Sequence, residues 1–109
     1  MRIKNLTPHP IKVYTGRAVM ATYISEGSAR ACQATERVGT VDGLPLVSMT
    51  YGEPVGLPDP EPGVYLIVSA LTAQAAKAHG RPTDDLLLTA LPVRNDAGQI
   101  IGCQAFARI

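Results

Sequence analysis

The stretch from Gly63 to Gly80, GVYLIVSALTAQAAKAHG, passes from a continuous apolar run to an alanine-rich helical pattern across one serine. A short apolar run bounded by turn residues reads as a buried strand, here Val64 to Val68. Ser69 carries the small hydroxyl side chain that caps a helix N-terminus, and Ala70 to Ala78 are strong helix formers. Gly80 stands where a left-handed residue ends the helix. Small residues at positions 73, 75, 76 and 78 let that helix lie close on a sheet. A strand feeding a helix in this way fixes what the remaining segments must pack against.

Those segments read mostly as strands. Ile3 and Leu6 precede Thr7-Pro8-His9-Pro10, whose prolines push the residues before them out of the helical region, so the N-terminal piece is a turn or an edge strand. Ile11 to Tyr14 and Val19 to Ile24 flank Thr15-Gly16-Arg17 as a β-hairpin. Ala29 to Val38 is a strand of short side chains, and Gly39 to Gly43 a loop. Leu44 to Tyr51 is a strand with Val47, Met49 and Tyr51 on one face. Proline and glycine then recur too densely for regular structure, and a semi-extended linker crosses to Val64. Beyond the helix, Leu86 to Thr89 is a short strand. Val93 and Ile100 to Phe106 flank the polar loop 94–99 as a second hairpin, with Ile101, Cys103, Ala105 and Ala107 facing inward. One helix and about six strands predict an α+β fold: a single small domain over residues 1–109, mainly antiparallel sheet with the helix packed on it.

Composition sets the energetic frame. The chain has 109 residues, no Trp and one phenylalanine, Phe106, so its core must come from Leu, Ile, Val and close backbone approach. That predicts modest stability or help from self-association, and hence a homo-oligomer. Ten basic and nine acidic residues are scattered without a stripe able to neutralise successive phosphates, which argues against nucleic-acid binding. No run reaches the length of a membrane span, and no apolar segment follows Met1-Arg-Ile-Lys-Asn as in a secretory signal, so the expected location is cytoplasmic and off the membrane. Cys32 and Cys103 have no zinc-ligand spacing and read as buried free thiols.

A catalytic set is not visible. Cys32, Cys103 or Ser69 would need His9 or His79 as a base, and none of them lies in a nucleophile motif. Asp84, Asp85 and Asp96 read as turn and capping residues rather than metal ligands, and no cofactor is implied. His9, between two prolines, reads as an exposed turn residue, and the four tyrosines as core or sheet-face residues. The one anion-binding feature is the helix N-terminus at Ser69, Ala70 and Leu71, with free N–H groups and a partial positive charge. Arg81 and Arg94 are the guanidinium groups that would complete a ligand site there if they converge on it.

Asn5-Leu-Thr-Pro-His9, Pro62-Gly-Val-Tyr-Leu-Ile-Val-Ser69 and Val93-Arg-Asn-Asp-Ala-Gly-Gln-Ile-Ile-Gly-Cys103, together with Tyr51 to Pro58 and Asp84-Asp85, resemble a set of short uncharacterised proteins of tailed bacteriophages and prophages. The resemblance spans most of the chain and brings no catalytic residues with it. It implies a non-enzymatic, phage-encoded accessory protein that acts by binding, against host defence, either sequestering a small anionic, nucleotide-like ligand or blocking a host protein. A phage structural or assembly component and a small hydrolase are the rival expectations.

Overall fold

The computed structural model describes residues 1–109. The centre forms as its sequence dictates. Val64–Ile67 is strand β6, and Ala70–Ala78 is helix α1. The Ser69 Oγ accepts a hydrogen bond from the Thr72 N–H, satisfying one of the donors that every helix start leaves free. The apolar residues of β6 meet the small face of the helix: Leu66, Val68, Ala73, Ala76 and Leu86 are buried in one cluster with Leu6 and Ala29.

Before this centre lie strands β1 (Arg2–Asn5), β2 (Ile11–Thr15), β3 (Ala18–Tyr23), β4 (Gln33–Val41) and β5 (Leu44–Tyr51). After it come β7 (Leu86–Arg94) and β8 (Ile100–Ala107). Eight strands rather than about six are therefore present, in two separate sheets. The larger has the order β1-β6-β7-β8-β2-β3, and β4 and β5 form a sheet of their own.

The expectation of a mainly antiparallel sheet is corrected to a mixed one. β6 runs parallel to both neighbours, β1 and β7, and β2 runs parallel to β8. The hairpin pairs β2–β3 and β7–β8 are antiparallel. The reason is the helix itself: a chain that leaves β6, crosses as α1 and returns must start β7 from the same end of the sheet. Residues 52–63 do cross in irregular form, pinned by paired backbone hydrogen bonds between Arg30 and Val55.

The sheet curls until its two edges meet at one end. Asn5, on β1 and fully buried, donates through Nδ2 to the carbonyls of Tyr23 and His9, and its Oδ1 accepts from the N–H and the hydroxyl of Thr7. Its backbone carbonyl takes the Glu26 N–H. One side chain thus ties β1, the proline turn and the end of β3. On the far side β8 and β2 approach so closely that a Cβ on Gly102 would lie 2.5 Å from the Tyr14 ring and 2.6 Å from the Lys12 carbonyl oxygen.

Two boundaries move. The expected loop 39–43 is corrected to strand β4 up to Val41, and only Asp42 and Gly43 turn, both at positive φ. Asp-Gly is the pair that a two-residue hairpin turn favours. Leu86–Arg94 is one strand running through Pro92, not a short piece ending at Thr89.

Candidate functional site

The helix N-terminus opens on a recess of about 280 Å³ lined by residues that include Leu6, Ser28, Arg30, Ser69, Leu71 and Thr72. Neither arginine expected there lines it. Arg81 lies beyond the opposite end of the helix, where its guanidinium grips Asp85 with both arms at 2.8 and 2.9 Å and also donates to the carbonyls of Pro58 and Pro82. Arg94 donates to the Gly98 carbonyl inside the β7–β8 loop. Both groups close loops. At the recess, the Ser69 hydroxyl donates to Thr72 Oγ1, which in turn donates to the Ala29 carbonyl, so the polar side chains are partnered within the protein. Ala70 and Leu71 contribute the first turn of the helix.

The remaining chemistry-bearing side chains are apart. Both cysteines are free, and Cys32, expected in the core, is exposed where the chain enters β4 while Cys103 is buried on β8. At the mouth of the hairpin the Gly52 N–H donates to the Cys32 carbonyl. His9 is exposed, and His79 caps the helix C-terminus with its Nε2 at 2.8 Å from the Tyr51 carbonyl oxygen. No three His, Cys, Asp or Glu side chains cluster.

The feature that stands out is the β4–β5 arm. Its register runs from Gln33 opposite Tyr51 to Val41 opposite Leu44, with Val38 inserted as a bulge. Seventeen strand residues are nearly all exposed; only Gly39 and Tyr51 are half-covered. The arm touches the body at its base, where the Tyr51 hydroxyl donates to Gln74 Oε1 at 2.7 Å and His79 meets the Tyr51 carbonyl. Strand alternation places Val41, Leu44 and Leu46 on one face and Val47 with Met49 on the other. These side chains are 46 to 67% exposed. Apolar groups on both faces of an uncovered two-stranded sheet are unusual, because such a hairpin is marginal in water without a third layer.

A second uncovered surface lies on the body. The helix packs over β6 and the start of β7, leaving β8, β2 and β3 without a helical layer, and β3 has no buried residue. Met20, Leu91 and Ile100 are at least 60% exposed on this half. Ile11, Lys12, Ile100 and Ile101 are among the residues lining a recess of about 190 Å³ there. Leu91 is also held at φ +55°, a conformation costly for a branched residue.

The arm carried a sequence signal that composition hides: Asp42-Gly43 between two runs of β-branched and apolar residues is a strong short-range hairpin pattern. No helix of the chain is long and apolar enough to cross a membrane. Against known proteins, no family model, no curated protein and no solved structure matches the chain.

Proposed function

We propose that this protein works by binding another protein, with the β4–β5 arm as the contact element, and that it does so without turnover. The single observation that carries the reading is the arm: a long hairpin with aliphatic side chains on both faces and no layer of its own chain against either. Burial of such groups stabilises by roughly 25 cal/mol per Å² of apolar surface, and here that contribution is left unused within the chain. The chain as a whole is correspondingly extended. The radius of gyration is 16.5 Å, against about 13 Å for a compact chain of this length.

A protein partner fits the arm better than a small anion fits the helix N-terminus, where Arg81 and Arg94 do not converge and the capping hydroxyls are already partnered. Of the roles that the sequence suggests, blocking a host protein, or the rival role of an assembly component, is therefore favoured over sequestration of a nucleotide.

The test is photocrosslinking in bacterial cells that express the protein. A photoreactive residue at Val41 or Leu46 is expected to yield discrete protein adducts, whereas the same residue at Thr83, away from the arm, yields none. Absence of adducts from every arm position contradicts the reading.

A further inference from the structure

We propose that the arm's partner is a second copy of this chain, docked head to tail: the arm of one copy lies on the uncovered β8–β2–β3 half of the next. This rests on the contact reading above and names its partner. The two surfaces are what each other lacks. The arm offers Val41, Leu44 and Leu46 on one face with nothing over them, and the body offers Met20, Leu91, Ile100 and Ile101 with nothing over them. Their charges are complementary. The arm holds Glu36, Arg37 and Asp42, two acids to one base, whereas the β2–β3 and β7–β8 hairpins hold Lys12, Arg17 and Arg94 against Asp96. Lys12 lines the recess beside Ile100.

Face docking is favoured over pairing of arm edges. Pro45 removes one N–H from β5, and the Val38 bulge interrupts β4; both are devices that keep edge strands from adding to one another. Docked head to tail, with each arm on the next copy and no reciprocal exchange, the contact is heterologous, and repetition of it closes a ring or extends a filament, whereas a reciprocal exchange of arms would stop at a two-fold dimer.

Complementation between variants separates this contact from arm-to-arm pairing, and growth of the wild type beyond a dimer separates it from a reciprocal two-fold exchange of arms. Leu44→Asp with Leu46→Asp spoils the arm and leaves the body surface intact, while Ile100→Asp does the reverse. Each is expected to weaken self-association about thirtyfold or more and to run as a monomer in sedimentation analysis. Mixed in equal amounts, the two retain one good arm and one good body surface between them. They should form a 1:1 species at twice the 11.5 kDa chain mass and nothing larger, while the wild type grows beyond a dimer with concentration. If Ile100→Asp fails to melt like the wild type, exposed Lys12→Glu replaces it, setting like charge against the acidic arm. A monomeric wild type at high micromolar concentration overturns the proposal. So does a pair of variants that fail to complement, or an Ile100→Asp variant that stays dimeric, which is the result for arm-to-arm pairing. Crosslinks from the arm to proteins other than this chain, with a monomeric wild type, also overturn it while leaving the contact reading standing.

Discussion

The β6–α1–β7 centre and the β4–β5 arm are built from similar residues and have opposite fates. In the centre, Leu66, Ile67 and Leu86 are at most 2% exposed, and Ala73, Ala75 and Ala76 are fully buried. In the arm, Leu44 is 67% exposed and Met49 55%. Both segments are rich in aliphatic side chains, so hydrophobicity alone does not decide burial. What differs is geometry: β6 has a strand on each side and a helix over one face, whereas each arm strand has one neighbour and no layer. Stability is concentrated in the first region, and in the second the same kind of side chain remains available for an intermolecular contact.

That contrast is open to attack by mutation, beginning where the effect should be largest. Leu66→Ala removes a fully packed side chain and is expected to cost about 2–5 kcal/mol in urea unfolding. A loss under 1 kcal/mol would show that the centre is not the core. Asn5→Ala leaves the Tyr23 carbonyl and the Thr7 N–H without the Asn5 side chain, while the His9 carbonyl keeps the Thr7 hydroxyl, and is expected to cost about 2–3 kcal/mol, since each unpaired group away from water costs roughly 1–3. Unchanged thermal unfolding of that variant would mean the sheet edges are held together by other contacts. Gly102→Ala forces β8 away from β2 and should cost about 1–3 kcal/mol, with the melting temperature as readout. Ser69→Ala loses only the cap, about 1 kcal/mol, or roughly 4–8 °C in melting temperature for a domain of this size. Smallest of all, Leu44→Ala in dilute protein should lie within about 0.5 kcal/mol of the wild type. A cost there comparable to that of Leu66→Ala would erase the distinction between the two regions.

Local chemistry in the sequence reached the helix and its ends almost residue for residue, because Ser69 and Gly80 act on their immediate neighbours. It also reached both hairpins of the larger sheet, where turn residues lie between the strands they join. It did not reach strand direction around Val64–Ile67, which depends on where β1 and β7 return from. Nor did it mark Asn5, an ordinary polar residue whose four side-chain hydrogen bonds join the nearby Thr7 and His9 to the distant Tyr23. For the candidate site the limits were similar. Arg81 and Arg94 looked free because their partners, Asp85 with Pro58 and the Gly98 carbonyl, are set by loop shape. The arm is half visible in the sequence: alternation puts Val47 and Met49 on one face, yet alternation of apolar residues has the same appearance whether that face meets a core or meets solvent.

Hydrogen exchange followed residue by residue, at low and at high protein concentration, compares the two regions most directly. In dilute solution the amides of the arm, such as Thr35 and Val47, should exchange almost without protection, while those of Leu66 and Val68 exchange only through global unfolding. Raising the concentration should slow the arm amides and leave the β6 amides unchanged. Arm amides as protected as β6 in dilute solution, or arm protection that ignores concentration, would contradict the account.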